Sequence, residues 1–118
     1  PNGLSEISSN AFQGCSNLER ITLPNSLKEI GSKAFEGCTS LQMLSIPSSL
    51  KEIGSDAFDK CANQRRVYAL GAAPPKINSS SFDKQTYREA ILYLRKGSIG
   101  NYQINKQWNK FLDMEEWQ

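Results

Sequence analysis

The sequence predicts a repeat solenoid closed by a mixed α/β cap, and two observations lead to this fold class. The 118-residue chain repeats itself every 23 residues, so that apolar residues return to fixed slots. Four such slots are Leu4, Leu27 and Leu50; Ile7, Ile30 and Ile53; Phe12, Phe35 and Phe58; and Cys15, Cys38 and Cys61. After Cys61 the repetition decays into an aromatic-rich segment. A fixed short period is typical of units that bury their apolar faces by stacking, and a different final segment is typical of a cap.

Each repeat is predicted to hold one short strand, a turn and a short helical or irregular piece. Residues 18–23 and 41–46 show the apolar alternation of a strand. Proline, which cannot donate to a strand ladder, follows at positions 24 and 47. Serine shares one slot at positions 9, 32 and 55, where it is expected to cap a short helical turn.

This pattern predicts two parts of the chain. Residues 1–66 form three repeats, and residues 67–118 form a distorted last repeat and a C-terminal cap. In the second part, Val67 and Ala69 still occupy strand slots. A strand is expected over 90–94 and a short helix over 98–105. The aromatic residues expected to cover the last repeat are Tyr93, Tyr102, Trp108, Phe111 and Trp117, while Glu115 and Glu116 are assigned to a solvated tail.

The chain begins at a repeat junction, because Pro1-Asn2-Gly3 aligns with Pro24-Asn25-Ser26. Nothing in the sequence caps the first repeat, and solenoid ends need a polar cap to stay soluble. We therefore expect further repeats upstream, and self-association through the first repeat when it is uncovered.

The pattern from Leu18 to Cys38 resembles the BspA-like leucine-rich repeats of bacterial and protozoan surface proteins. Residues 67–111 also resemble the C-terminal end of such arrays in Bacteroides-type surface proteins. The resemblance implies a right-handed β/α superhelix of short parallel strands, located at the cell surface or secreted. It also implies a non-enzymatic, protein-interaction role, such as adhesion to host extracellular proteins or to proteins of neighbouring cells.

Composition argues against several classes of function. The chain lacks histidine, which removes Ser-His-Asp catalysis and histidine-based metal sites. It has no Cys-x-x-Cys and no glycine-rich phosphate loop, so we expect no enzyme activity and no cofactor. No apolar stretch is long enough to span a membrane.

The net charge of +2 is too small to favour nucleic acid as a partner. Residues 1–63 carry five basic and seven acidic side chains, and residues 64–118 carry nine and five. The basic second half is interpreted as solvated surface, with a polyanion site as the alternative.

The three cysteines occupy one repeat slot and are predicted to form a reduced ladder inside the stack. Neighbouring slots lie roughly 5 Å apart in stacked strands, a distance that also permits a disulfide. A disulfide between neighbours and a metal site remain the alternatives.

The outward positions of the predicted strands are the candidate protein-binding face, because arginine and tyrosine are enriched at binding hot spots. They form three columns: Glu19, Gln42 and Arg65; Arg20, Met43 and Arg66; and Thr22, Ser45 and Tyr68. The expected partners are extracellular proteins. Three alternatives remain: a face tuned only for solubility, a glycan-binding face with Tyr68 as its aromatic, and a passive spacer or anchor for an upstream domain.

Overall fold

The computed structural model describes residues 3–117, so the junction predicted at Pro1 and Asn2 lies outside the described residues. Strands alternate with turns through the repeats, and short helices enter only near the end of the chain. The elements are β1 (Glu6–Ile7), β2 (Arg20–Thr22), β3 (Glu29–Ile30), β4 (Met43–Ile46), β5 (Glu52–Ile53), β6 (Arg66–Ala69), α1 (Lys84–Glu89), β7 (Ile91–Arg95), α2 (Ile99–Gln103), a 3-10 helix (Trp108–Lys110) and β8 (Asp113–Trp117).

The main sheet is parallel, with strand order β2-β4-β6-β7-β8. Residues of one repeat slot pair directly: Ile21 faces Leu44, and Leu44 faces Val67. All three are buried, as period-two alternation requires of a sheet with one face in the core. The predicted repeat solenoid of parallel strands is confirmed, and the sheet also contains β8, which was not predicted.

A second parallel sheet, β1-β3-β5, runs along another side of the stack and was not predicted. Each of its strands is only two residues long. Its isoleucines, Ile7, Ile30 and Ile53, are buried, while the glutamate before each is exposed. A two-residue strand is too short to show alternation in a sequence.

The segment after each of these strands consists of turns, so the helical form expected there is wrong and the irregular form is confirmed. Asn10, Lys33 and Asp56 share one slot and have φ of 66°, 61° and 58°. This left-handed conformation breaks a right-handed helical path. The serines do not cap helices here; the carbonyl of Ser32 accepts a 3.0 Å bond from the Asn10 amide of the neighbouring repeat.

Backbone bonds between repeats hold these turns in register. The amide of Phe12 donates to the carbonyl of Ala34 at 2.7 Å, and the amide of Phe35 donates to that of Ala57 at 2.8 Å. The backbones approach so closely that Gly54 has no room for a side chain, since a Cβ there would lie 2.7 Å from the Ser32 nitrogen. The repeat slots are therefore fixed by hydrogen bonds as well as by apolar burial.

The cysteine ladder is confirmed at two positions and wrong at the third. Cys38 and Cys61 are buried free thiols, whereas Cys15 is a free thiol exposed at the edge of the first repeat. The sulfur of Cys61 donates to the carbonyl of Phe35 at 3.2 Å, and that of Cys38 donates to Phe12 at 3.3 Å. Burial comes from stacking, and no described residue packs over Cys15 in the way that one repeat covers the next.

The cap closes the stack with an aromatic cluster. Tyr102, Trp108 and Phe111 are buried, as predicted. The Trp108 indole donates to the carbonyl of Pro75 at 2.8 Å, and the Tyr102 hydroxyl donates to that of Gly71 at 2.7 Å. These two bonds satisfy the polar atoms that burial would otherwise leave unpaired.

Two predictions for the cap are corrected and two are confirmed. Tyr93 and Trp117 do not join the buried aromatic cluster; they lie partly exposed on strands β7 and β8 and contact Tyr68 on the outer side of the sheet. Glu115 and Glu116 belong to β8 and not to a tail, because β8 pairs along its whole length with β7. The strand and helix expected over 90–94 and 98–105 are confirmed as β7 and the shorter α2.

Candidate binding face

Six of the nine residues of the predicted face lie on the outer side of the main sheet, and the other three precede its strands beside a common groove; we call the nine the strand face. Arg20, Met43 and Arg66 pair in register across β2, β4 and β6. Thr22, Ser45 and Tyr68 form the next column. The first column, Glu19, Gln42 and Arg65, precedes the strands and is joined by backbone bonds of 2.8 Å and 3.0 Å.

The arginines of the strand face differ in their hydrogen bonds and ion pairs within the chain. Arg65 is engaged within the chain: its Nη1 donates to the carbonyl of Ala62 at 2.8 Å, and its Nη2 lies 3.3 Å from a carboxylate oxygen of Glu89. Arg20 and Arg66 are exposed and have no ion-pair partner among residues 3–117. The guanidinium groups available to a partner are therefore those of Arg20 and Arg66.

A shallow groove of about 330 Å³ runs across this part of the strand face. Met43 lies partly buried between the two free arginines, one strand from each. The rest of the lining is polar or charged: Glu19, Gln42 and Arg65. The groove thus presents an apolar centre with a polar and mainly basic border.

Strands β7 and β8 extend the strand face beyond the predicted residues. Tyr93 pairs with Tyr68, and their rings stack with centroids 4.8 Å apart and planes 15° apart. Trp117 meets Tyr68 edge-on at 5.5 Å. The sequence analysis did not include Tyr93 and Trp117 in the candidate face. Leu92 pairs with the buried Val67, and its neighbour Tyr93 therefore points outward, as Tyr68 does.

The titratable side chains with clearly shifted pKa values lie away from the strand face. Burial raises the pKa of the Cys61 thiol to about 12 and raises that of Cys38. Burial also raises the pKa of Tyr87 to about 12. These groups stay protonated at neutral pH, so Cys38 and Cys61 do not supply thiolate nucleophiles.

Neither a metal site nor a membrane-spanning element is found among residues 3–117. No three His, Cys, Asp or Glu side chains there converge as metal ligands would. None of the helices there has the length and apolar character that crossing a bilayer requires.

The open edge of the first repeat is apolar. Leu4 and Phe12 are exposed there, beside a depression of about 480 Å³ that is also lined by Ile7 and Cys15. Self-association through this edge stays a prediction.

Comparison with known proteins identifies the repeat. A family model described as "BspA type Leucine rich repeat region (6 copies)" matches residues 1–108. A search of curated proteins gave no match.

Proposed function

The chain belongs to the BspA-type leucine-rich repeat family, and from this premise we propose that it is a non-enzymatic protein-interaction module of a bacterial cell-surface or secreted protein. Repeats of this family are protein-interaction modules. The partner class that fits an external location is an extracellular protein of a host or of a neighbouring cell, so the role is adhesion.

The register of Arg20, Met43 and Arg66 is the observation that carries this proposal. Parallel strands lie about 4.8 Å apart, so the two arginines start roughly 10 Å apart with the methionine between them. Arginine and methionine are enriched at protein interfaces, where arginine binds carboxylates through two parallel hydrogen bonds. The chemistry fits a partner surface with two acidic side chains beside a small apolar one.

The scaffold holds these side chains in a fixed arrangement before any partner arrives. Met43 and Arg66 belong to strands that pair along four residues, from Met43 to Ile46 and from Arg66 to Ala69. Directly beneath them, Leu44 and Val67 are fully buried. A binding surface on such strands loses little conformational entropy on association, which favours affinity.

The test is a binding screen of the chain against immobilised extracellular-matrix proteins, repeated with the double variant Arg20→Ala/Arg66→Ala. Its matched control is Lys28→Ala/Lys51→Ala, which removes the same charge beside the second sheet. Saturable binding that the arginine variant loses and the lysine control keeps supports the proposal. Equal loss in both variants would mean that net charge, and not the strand face, drives binding; no binding at all would favour a passive spacer.

A further inference from the structure

A second cavity on the strand face differs in chemistry from the arginine groove. It has a volume of about 500 Å³, lies at the carboxyl ends of β2 and β4, and has no charged residue in its lining. Thr22, Asn25, Ser26 and Ser45 form its polar lining, and Leu23, Pro24 and Leu70 form its apolar lining. Its volume falls within the range of roughly 300–1,000 Å³ that is usual for small-ligand sites.

The polar groups of this cavity are hydroxyls and an amide. The Ser26 hydroxyl donates to the carbonyl of Leu4 at 2.6 Å, which leaves its lone pairs as acceptors. The side chains of Thr22, Asn25 and Ser45 make no hydrogen bond to another described residue. They offer both donors and acceptors to a ligand, without charge.

The aromatic ring of Tyr68 adjoins the cavity without lining it, because Tyr68 pairs in the sheet with Ser45, which does line it. Tyr68 stacks on Tyr93 on one side, and its register partner on the other side is Ser45. The rings of Tyr68 and Tyr93 are nearly parallel and lie on neighbouring strands, so their faces point along the direction from one strand to the next. The face of Tyr68 that does not stack on Tyr93 is therefore turned towards Ser45. Ser45 is too small to stack on the ring as Tyr93 does, and Trp117 contacts the ring edge-on.

We propose that this cavity binds a neutral oligosaccharide, with one sugar ring stacked on the free face of Tyr68. A pyranose presents apolar C–H groups on its faces and hydroxyls around its rim. The aromatic face of Tyr68 suits the apolar C–H groups of the sugar, and the hydroxyls and amide of Thr22, Asn25 and Ser45 can hydrogen-bond its hydroxyls. The uncharged lining disfavours sialylated or sulfated sugars, whose charge would be desolvated without a counter-charge.

A proline-rich peptide is the competing ligand, because such peptides also dock on aromatic side chains. Their binding grooves use several aromatic ridges spaced along an extended helix. Here a single aromatic ring adjoins the cavity, and hydroxyls and an amide share the lining with Leu23, Pro24 and Leu70. The geometry therefore favours a compact ring with polar edges over an extended apolar peptide.

The site is independent of the proposed protein-binding groove, since neither Arg20 nor Arg66 lines the cavity. The experiment applies the 118-residue chain to an array of neutral, sialylated and sulfated oligosaccharides, with a ten-residue polyproline peptide as a further probe. Each ligand bound on the array is then titrated in solution by calorimetry.

Four variants locate the site. Tyr68→Ala removes the ring, and Ser45→Tyr fills the cavity by extending the column of tyrosines that Tyr68 and Tyr93 already form. Both are expected to weaken binding of the neutral sugar by about tenfold or more. Lys28→Ala and Lys51→Ala lie beside the second sheet and leave the cavity intact, so both should bind within about twofold of the unmodified chain.

Three results would overturn the proposal. One is the absence of binding to any neutral oligosaccharide. Another is neutral-sugar binding that Tyr68→Ala and Ser45→Tyr leave unchanged. The third is a clear preference for charged sugars or for the polyproline peptide. Circular dichroism of each variant ensures that a loss of binding is not a loss of folding. None of these results bears on the extracellular-matrix screen, which depends on Arg20 and Arg66.

Discussion

The ring of Phe35 stacks on that of Phe58 with centroids 5.2 Å apart and planes only 4° apart. The two residues are one repeat apart, and their backbones advance by the same step because Phe35 donates its amide to the carbonyl of Ala57, next to Phe58. Phe12 and Phe82 continue the stack on either side at 5.2 Å and 5.4 Å. Side-chain stacking and backbone bonding thus fix the same repeat spacing.

Replacing Phe35 with alanine should destabilise the chain by roughly 3–5 kcal/mol, because it leaves a cavity between two stacked rings. Only 2% of Phe35 is exposed, whereas 44% of Phe12 is. The matched control Phe12→Ala should cost much less, about 1 kcal/mol, because solvent already reaches that ring. Urea unfolding measures both values, and equal costs would mean that the ladder is not the centre of the core.

Replacing Gly54 with alanine should destabilise the chain by about 1–3 kcal/mol, because the added Cβ overpacks a filled space. That Cβ would meet the backbone of Ser32, which cannot move without breaking the bonds between repeats. Gly100 in α2 has nothing within 4 Å of an added Cβ. Gly100→Ala should therefore be neutral or stabilise α2 by up to about 1 kcal/mol. Thermal unfolding of the pair checks this, and similar shifts for the two variants would refute the close approach.

Replacing Gln64 with leucine should stabilise the chain by about 1–3 kcal/mol, because burying an unpaired amide is costly. Gln64 occupies the slot held by Leu18 and Leu41 in earlier repeats. It is fully buried, and neither polar atom of its side chain has a hydrogen-bond partner among the described residues. Gln103→Leu, on an exposed position of α2, is the control and should change stability by less than about 0.5 kcal/mol. A loss of stability in Gln64→Leu would show that the amide has a bound partner.

The three cysteines should react with a thiol reagent at two different rates. Cys15 is exposed and should be labelled quickly, while Cys38 and Cys61 should react only as the chain opens. Mass spectrometry of the native protein should show one fast adduct, and the variant Cys15→Ser should show none. Two or three fast adducts would contradict the buried pair.

Stability should also fall at high pH through Cys61. Burial raises the pKa of this thiol from 9.0 to about 12, so the folded state holds its proton more tightly than the unfolded chain does. The associated stability is present below pH 9 and is lost as the pH rises towards 12. Cys61→Ala should flatten this part of the curve of unfolding free energy against pH, and an unchanged slope would contradict the assignment.

The 23-residue period was enough to predict the ladders, because each slot keeps one residue type and stacking converts slots into contacts. Ile21, Leu44 and Val67 pair as their slots require. The period also placed two columns of the candidate face, Arg20-Met43-Arg66 and Thr22-Ser45-Tyr68, in register across the sheet. Their role in binding stays a prediction.

The sequence did not predict the features that depend on strand pairing outside the 23-residue repeats. Strand β8 contains three acidic residues in five and lacks regular apolar alternation, so only its pairing with β7 identifies it as a strand. That non-local pairing brings Trp117 to the edge of Tyr68. The contact between Tyr68 and Trp117 beside the neutral cavity therefore could not be predicted from the local sequence pattern.

The most direct test of the proposed function is the dissociation constant for the best-bound matrix protein, compared between the unmodified chain and Arg20→Ala/Arg66→Ala. We expect the variant to bind about tenfold or more weakly, and its affinity to depend less on salt, because two charge-assisted contacts are lost. Lys28→Ala/Lys51→Ala should bind as the unmodified chain does. Equal dissociation constants for the unmodified chain and the arginine variant would contradict binding through the strand face.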